Sequence, residues 1–275
     1  MESAHEEVIL TERLAKADLH IHSTADDGLA TPQEIVDHVE RNTDLDIIAI
    51  TDHDAIAGAM EAREIVARGQ YRVQVIVGME ITTRQGHLLA LGLERPIRML
   101  QDIDATISQV HEQGGFCILP HPLAWFSMGA RQSTVNRLVS RATDSVYLDG
   151  VEVFNPSFAG RVVFQRVWQL NSSRWHLAVC GGSDSHALHT IGSACTLFPG
   201  DKSEAGLRRA LAERATSYDG GFWSVQDHTS IALPQLYRSM IVTPVARVRR
   251  SRAWQREEAN GSGPVQPASH SGGAR

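Results

Sequence analysis

Histidines and carboxylates interrupt or follow most of the short apolar runs in the first two thirds of this sequence. A buried strand does not tolerate such groups unless they are paired or bound to a cation, so their position indicates a function. Imidazole nitrogens mixed with carboxylate oxygens suit Zn, Mn or Fe, whereas Ca and Mg prefer shells made only of oxygen. The residues concerned are Asp18, His20, His22, Asp26, Asp27, Asp52, His53, Asp54, Glu80, His121, Asp184 and His186.

The spacing of these residues supports metal binding. His20 and His22 are two residues apart, so on an extended strand they point to the same side and can chelate one ion. Asp184 and His186 repeat this spacing. One histidine beside an apolar run is more often structural than a ligand, but five such runs end in this way. The number of candidate ligands predicts more than one metal ion.

The elements that must position these residues alternate between strands and amphipathic helices, as in an α/β protein. The predicted strands are Ala17 to Ile21, Asp46 to Ile50, Val73 to Val77, Phe116 to Leu119, Gly150 to Phe154 and Leu177 to Cys180. The predicted helices are Pro32 to Glu40, Ile56 to Arg68, Asp102 to Gln113, Thr134 to Arg141, Gly160 to Leu170 and Ser203 to Arg214.

These strands carry Val, Ile and Ala on both faces, which predicts a closed or nearly closed parallel barrel covered by helices. The carboxyl ends of barrel strands face one mouth, where enzymes of this architecture place their chemistry. Thr31 before Pro32 is a helix start signal, and Gly69 and Gly114 are expected to end helices in a left-handed conformation.

Composition and charge limit the class of protein. The 42% hydrophobic and 21% charged residues are typical of a folded soluble protein, and the net charge of -6 argues against a general electrostatic grip on nucleic acid. Cys117, Cys180 and Cys195 lack metal-type spacing, and residues 1–16 contain no apolar signal segment. We therefore expect a cytoplasmic protein without a membrane span.

Four regions are predicted along the chain. Residues 1–16 form an N-terminal extension and residues 17–233 form the barrel. Residues 234–256 form a basic amphipathic segment, which either packs on the barrel with its arginines outward or contacts a membrane or nucleic acid. Residues 257–275 are rich in Ser, Gly and Pro and are expected to be disordered.

A set of short motifs between Ala17 and about Gly200 resembles the motif series of the PHP (polymerase and histidinol phosphatase) family. The strings are ADLHIHSTADDG, AITDHD, VGMEIT, GHLLALG, LPHP and GGSDSH, in this order. The resemblance implies a distorted seven-stranded β/α barrel similar to a TIM barrel, with three metal ions and phosphoesterase activity.

The resemblance also implies which residues hold the metals. His20, His22, Glu80 and Asp184 would hold the first ion, and Glu80 would bridge to a second ion bound by His87 and His121. Asp27, His53 and His186 would hold the third. All nine positions carry a residue that can be a ligand, unlike degenerate family members that serve as structural modules.

Such a site suits the hydrolysis of phosphate esters. Clustered cations offset the roughly two negative charges of a phosphate monoester and lower the pKa of a bound water from 15.7 towards about 7. Asp52 and His186 are the candidate catalytic residues. Asp52 would orient a ligand histidine, unless it is a solvated turn residue. A protonated histidine or a water on a metal would protonate the leaving group.

Four further residues are candidates for binding substrate. Arginine matches the geometry of phosphate, and Arg131 and Arg161 follow strands that lead to the predicted mouth. Asn155 and His189 are weaker candidates for the same mouth. His228 is among the histidines for which we expect an ordinary structural role.

Three interpretations of function remain. The first is a phosphatase that acts on a small phosphorylated metabolite or nucleotide with two to three Mn, Fe or Zn ions. The second is an exonuclease or phosphodiesterase acting on nucleic-acid ends, which would need aromatic stacking platforms such as Trp125 and Phe126 beside the mouth. The third is a regulatory module without catalysis.

Residues 88–120 leave no room for the long helical insertion of family members that process nucleotides with a 3′ phosphate. The sequence does not determine the oligomeric state.

Overall fold

The computed structural model describes residues 13–238, apart from the side chains of Ala232, Leu233 and Leu236. Most of the predicted N-terminal extension, the basic segment after Arg238 and the predicted tail lie outside the described residues. The strands are β1 Ala15–Ile21, β2 Ile47–Ile50, β3 Gln74–Thr83, β4 Gly86–Leu91, β5 Phe116–Leu119, β6 Gly150–Phe154, β7 Ala178–Gly181, β8 Ala194–Phe198 and β9 Ser217–Gly220. The α-helices are α1 Pro32–Asn42, α2 Ala57–Arg68, α3 Ile103–Glu112, α4 Gln132–Ser140, α5 Phe158–Leu170, α6 Glu204–Ala212 and α7 Val225–Tyr237.

All nine strands belong to one curved sheet in the order β7-β6-β5-β4-β3-β2-β1-β8-β9. The strands β1, β2 and β3 are parallel to one another, as are β5, β6 and β7. The strand β4 is antiparallel to both of its neighbours, β8 is antiparallel to β1, and β9 is antiparallel to β8. The expected α/β barrel is confirmed, but it is not entirely parallel and has nine strands within residues 13–238 rather than seven.

The strand β7 and the residues after it bring this edge of the sheet against β1 and β8. Ser185 forms a parallel bridge with Ile21, and the backbone N–H of His22 donates to the carbonyl oxygen of Ser185 at 2.8 Å. The hydroxyl of Thr196 on β8 donates to the carbonyl oxygen of Gly181 on β7 at 2.9 Å. The sheet is therefore nearly closed at the end where β1 and β7 run out.

The predicted strands and helices all begin within two residues of their observed starts. The strands β4, β8 and β9 and the helix α7 were not predicted, and β3 extends six residues beyond its predicted end to Thr83. Glu80 therefore lies inside a strand and not at its end. The antiparallel direction of β4 follows from the two-residue link Arg84–Gln85 between it and β3, which is too short for a crossover.

Local signals at the helix ends were mostly interpreted correctly. Thr31 caps α1 in a reciprocal capping box with Glu34, and Pro32 is its first residue. Gly114 follows α3 with a φ of 76°, as expected for a left-handed exit. Gly69 after α2 has a φ of -102° instead, so its left-handed conformation was wrongly predicted.

Two apolar layers stabilise the barrel. One layer packs strand residues such as Ile48, Ile50 and Met79 against α1 to α5, and the other gathers Leu19, Ile118 and their neighbours from seven strands together with α6. The helix α6 lies opposite the mouth, since its Arg208 sits 4.4 Å over the ring of Phe116 at the start of β5. Within residues 13–238, none of the helices has the length and apolar character needed to cross a bilayer.

Candidate metal centre

Nine side chains from separate parts of the chain meet at the mouth of the barrel. Each is delivered by a strand or by the loop that follows one: β1 supplies His20 and the loop after it His22 and Asp27, while β3 and β4 supply Glu80 and His87. The loops after β2, β5 and β7 supply His53, His121, Asp184 and His186. All of the residues predicted as metal ligands are brought together in this cluster.

Glu80 lies at the centre of the cluster and contacts imidazoles with both carboxylate oxygens. Its Oε1 lies 2.8 Å from Nδ1 of His87 and 3.0 Å from Nε2 of His121. Its Oε2 lies 3.2 Å from Nε2 of His20, 3.3 Å from Nε2 of His22 and 3.2 Å from Nδ1 of His53. Glu80 therefore has the position of a ligand shared between two ions.

The remaining carboxylates extend the cluster on two sides. Asp184 Oδ1 lies 3.4 Å from Nε2 of both His20 and His22. Asp27 Oδ1 lies 3.3 Å from Nε2 of His186, and Asp27, His53 and His186 form one compact group that also includes His22. The structure thus resolves the nine residues into overlapping groups, with His22 reaching two of them.

The spacing of the donor atoms fits divalent cations. Donor atoms bound about 2.0 to 2.2 Å from one ion are separated from each other by about 3.0 to 3.5 Å, and most of the nitrogen to oxygen distances given above fall in this range. Neither ring nitrogen of His22 nor Nε2 of His87 makes a hydrogen bond within residues 13–238, although both rings are buried. Buried polar atoms are rarely left in this state, so the donor set indicates a missing partner such as a metal ion.

The charges of the cluster indicate the same partner. Burial would raise the pKa of Glu80, but the imidazoles of His87 and His20 outweigh it and lower this pKa well below its usual value. Burial would lower the pKa values of His20 and His22, but the carboxylates of Asp184 and Glu80 outweigh it and raise both. The carboxylates are therefore ionised, and without a cation only protonated histidines can balance them.

Two of the ligand residues have unusual backbone conformations. His121 has a φ of 27° and Asp184 a φ of 52°, although neither is a glycine. Such conformations cost roughly 1 to 3 kcal/mol and persist where the surroundings impose them, commonly at functional sites. The loops after β5 and β7 are thus held in strained shapes that direct these two side chains into the cluster.

Glu152 on β6 supports the cluster and was not identified from the sequence. Its Oε1 lies 3.0 Å from Nδ1 of His20, and its Oε2 accepts hydrogen bonds from the backbone N–H of His121 and from Asn155. A single carboxylate thus orients two ligand residues, which is a common role of residues next to metal ligands. The signal in the sequence was a glutamate inside the apolar run GVEVF, which was read only as a strand.

Asp18 on β1 supports the loop that carries Asp184. Its carboxylate accepts hydrogen bonds from the backbone N–H groups of Ser183 at 3.0 Å and Gly192 at 2.9 Å. Burial raises the pKa of Asp18 to about 6, against the lowering effect of these hydrogen bonds.

Asp52 does not take the position predicted for it. Its carboxylate accepts hydrogen bonds from the backbone N–H and the hydroxyl of Ser23, at 2.6 and 2.7 Å, and not from a histidine ring. It is fully buried, so it is not a solvated turn residue either. Asp52 instead fixes the backbone directly after His22, and Glu152 makes the contact to a histidine ring that was expected of Asp52.

The four predicted substrate-binding residues are dispersed. Asn155 lies in the site, where its amide donates to Glu152 and to Oδ2 of Asp184 at 3.2 Å. Arg131 and Arg161 are exposed and line neither of the cavities at the mouth, and Arg161 packs over the ring of Phe222. His189 lies beside Ser230 of α7. Arg131 at the start of α4, Arg161 within α5 and His189 therefore do not line the cavities at the mouth.

His228 and Gln235 line cavities at the mouth, although no motif in the sequence placed them there. Both belong to α7, and α7 itself was not predicted because its apolar residues are interrupted by Pro234 and by polar side chains. Only the tertiary structure brings this helix next to the metal ligands.

Two family models match this chain. The PHP domain model matches residues 18–148, and the PHP-associated model matches residues 170–216. An uncharacterised protein of Methanocaldococcus jannaschii is 32% identical over 151 residues, which are 51% of this chain and 81% of that protein.

Relatives with a named activity match shorter stretches. A 5'-3' exoribonuclease of Haemophilus influenzae is 40% identical over 84 residues, 29% of this chain and 30% of that protein. A 3',5'-nucleoside bisphosphate phosphatase of Chromobacterium violaceum is 33% identical over 85 residues, 30% of this chain and 29% of that protein.

The fold is shared with solved structures. A two-domain protein of Bacteroides vulgatus, described as containing a predicted PHP-like metal-dependent phosphoesterase, superposes with a TM-score of 0.62 at 21% identity. The superposition covers 82% of this chain and 70% of that one. The barrel, the cluster of histidines and carboxylates and the two family matches agree. This chain belongs to the PHP family and is a metal-dependent phosphoesterase.

Proposed function

We propose that this protein hydrolyses phosphate monoesters of small molecules at a site holding three divalent metal ions. The position of Glu80, within 3.3 Å of five imidazole nitrogens, is the observation that carries the proposal. A carboxylate whose two oxygens both face imidazole nitrogens is suited to bridge two ions. The interpretation as a module without catalysis is not retained, because all nine ligand positions are filled.

The metal assignment is the one that the family motifs imply. His20, His22, Glu80 and Asp184 would hold one ion, and Glu80 with His87 and His121 would hold a second. Asp27, His53 and His186 would hold the third. When bound, such ions offset the charge of a phosphoryl group and increase the acidity of water.

The residues of the chain position these groups and handle protons. Burial lowers the pKa of His53 well below its usual value, which keeps its imidazole neutral and able to coordinate a metal ion. Nδ1 of His186 lies 2.9 Å from the carbonyl oxygen of Asp184, so this hydrogen bond fixes the tautomer that directs Nε2 towards Asp27. Asn155 holds the second oxygen of Asp184.

A direct assay tests the proposal. The protein, loaded with Mn, Fe or Zn, is expected to bind two to three equivalents of metal and to hydrolyse an aryl phosphate. His20→Ala and Asp184→Ala should each abolish turnover, because each removes a donor shared within the cluster. The matched control His38→Ala, in α1 and outside the site, should leave it unchanged. Wild-type rates in both site variants would contradict the assignment.

The aromatic residues after β5 favour a second candidate, the hydrolysis of nucleic-acid ends. Trp125 and Phe126 are 73% and 69% exposed, and their ring centroids lie 3.5 Å apart. Phe126 lines both cavities at the mouth. Bases stack on such exposed aromatic side chains without regard to sequence.

Comparison of two substrates separates the candidates. A nuclease would release nucleotides from a labelled single-stranded oligoribonucleotide, and Trp125→Ala would slow this release about fivefold or more while its rate on an aryl phosphate stays the same. Cleavage of the small ester together with an intact oligoribonucleotide in the wild type would exclude the nuclease.

A further inference from the structure

Two cavities meet at the mouth of the barrel. The first, of about 320 Å³, lies over the metal ligands and is lined by His53, Glu80 and His87 among others. The second, of about 330 Å³, adjoins it and shares Asp184, His186, Phe126, Ser127 and Gln235 with it. A substrate whose phosphate lies among the metal ligands therefore has space for its remaining part in the second cavity.

The outer wall of the second cavity comes from residues beyond the part of the chain that matches the family models. The models end at residue 216, whereas Trp223, His228 and Gln235 follow it. This wall is attached to the barrel at several points. The backbone N–H of Trp223 donates to the carbonyl oxygen of Pro156 at 3.0 Å, and its indole N–H donates to the hydroxyl of Ser193 at 2.9 Å.

The far end of α7 is held over the metal ligands. Ile231 is 2% exposed, and the guanidinium of Arg238 donates to the carbonyl oxygens of Thr24 and Asp26, at 2.9 and 2.7 Å. These carbonyls precede the ligand Asp27. Arg238 thus ties the helix to the loop that forms one side of the metal cluster, and Gln235 lies between the two cavities.

The second cavity is lined by aromatic rings and carries little charge away from the metal ligands. Phe126, Phe158 and Trp223 contribute three aromatic side chains, and His228 lies beside Trp223 with ring centroids 5.4 Å apart. No lysine or arginine lines either cavity within the described part of the chain. Ser127, Ser157 and Gln235 add uncharged polar groups to the lining. A negatively charged leaving group would lose its water here without gaining a cationic side chain, whereas a flat uncharged ring would gain apolar contact with the three aromatic rings.

We propose that the second cavity is the leaving-group pocket of this enzyme and selects esters whose leaving group is a flat, uncharged ring system. This inference rests on the proposed phosphomonoesterase function. An aryl alcohol supplies such a ring directly, and a nucleoside supplies it as its base. The part of the chain from Trp223 to Arg238 is then a specificity element that this protein adds to the family barrel.

The test uses the full-length, metal-loaded protein with three esters: 1-naphthyl phosphate, adenosine 5'-monophosphate and glycerol 3-phosphate. Phe158→Ala removes a ring that is 63% exposed, so the fold should tolerate it, and Val162→Ala is the matched control on the same helix, 67% exposed and outside the cavities.

We expect kcat/KM for a ring-bearing ester to exceed that for glycerol 3-phosphate in the wild type. Phe158→Ala should lower it about 5- to 20-fold, the usual effect of losing one stacking partner, while the value for glycerol 3-phosphate changes less than twofold. The naphthyl and adenosine esters separate an aryl from a nucleobase preference. Inhibition by inorganic phosphate, which has no ring, should be the same in all variants.

A binding measurement tests the pocket independently of the hydrolysis reaction. Fluorescence titration with 1-naphthylphosphonate, which is not hydrolysed, should give a weaker Kd for Phe158→Ala than for Val162→Ala. Equal Kd values, or equal losses on all three esters, would overturn the pocket. Ring-dependent binding without hydrolysis of any ester would instead overturn the proposed function and leave the pocket standing.

Discussion

The contact between Glu152 and His20 shows how single residues support the metal ligands. Glu152 is 2% exposed and bonds the ring of His20 and the backbone of His121. Gly182 lies against it, since a Cβ at this position would overlap Oε1 of Glu152 and come within 2.9 Å of Cβ of His20. The second glycine of the GGSDSH motif, Gly182, is therefore required because the Glu152 carboxylate lies so close to it.

Replacement of Glu152 should weaken metal binding without removing a ligand. Loss of a residue that orients a metal ligand typically costs 10- to 100-fold in metal affinity or activity, so Glu152→Gln should lose metal to a chelator at concentrations that leave the wild type loaded. Metal content after dialysis, measured by mass spectrometry, checks this. Glu61→Gln, an exposed glutamate of α2, is the control. Equal retention by both variants would show that Glu152 has no such role.

At the scale of elements, the hairpin of β3 and β4 explains how Glu80 and His87 meet. Thr82 pairs with His87 across the hairpin, so Glu80 and His87 lie on neighbouring strands near the same end. The tight turn at Arg84 and Gln85 sets this register. An insertion in the turn would change the register and separate the two ligands.

Another element contact, at the end of α3, responds to pH. Burial would lower the pKa of His111, but its hydrogen bonds to the Asp149 carboxylate at 3.1 Å and to the carbonyl oxygen of Ser145 at 3.0 Å outweigh this, and the pKa is raised. Cys117 lies nearby, but both ring nitrogens of His111 are already bonded within this group. The group therefore ties α3 to the start of β6, and we assign it no metal.

The sign of the pH effect follows from the raised pKa. The folded protein holds the proton of His111 more tightly than the unfolded chain, so this stabilisation is complete below the ordinary pKa of about 6.5 and is lost as the pH rises through the raised value. The Tm difference between wild type and His111→Gln should therefore be larger at pH 6 than at pH 8. Thermal denaturation of both proteins checks this, and effects of the metal site on Tm cancel in the difference. A difference independent of pH would contradict it.

For the whole molecule, the proposed metal site joins parts of the chain that are far apart in sequence. Its candidate ligands extend from His20 to His186 and come from strands and loops around the barrel. Such a site exists only in the folded state, because the unfolded chain does not bring these donors together. Metal binding is therefore expected to stabilise the fold as a whole.

Removal of metal should lower the melting temperature of the intact protein. A ligand at 100 times its Kd stabilises the native state by about 2.7 kcal/mol, which for a chain of this size corresponds to roughly 5 to 10 °C. Calorimetry with and without a chelator measures the shift, and re-addition of metal should reverse it. His20→Ala should show a smaller shift than the wild type. An unchanged Tm on complete removal of metal would refute the coupling.

The sequence by itself determined the starts of six strands and six helices and the barrel class, and its resemblance to the PHP motif series gave the set of nine candidate ligands. The element starts follow from local patterns such as apolar periodicity and capping residues like Thr31. Spacing alone marked two pairs of ligands, His20 with His22 and Asp184 with His186. Candidate ligands at strand ends can also be recognised individually, because burying an ionisable group next to an apolar strand costs free energy unless the group has a partner.

Only the tertiary structure decided which residues support and cover the site. Asp52 contacts Ser23 while Glu152 contacts His20, and the helix α7 brings Gln235 to the mouth. Arg131 and Arg161 do not line the cavities at the mouth, because the direction of the side chains at the start of a helix depends on packing between distant segments. Local sequence patterns reflect interactions between residues that are close together in sequence. Contacts between residues more than a hundred positions apart depend on how the whole barrel closes.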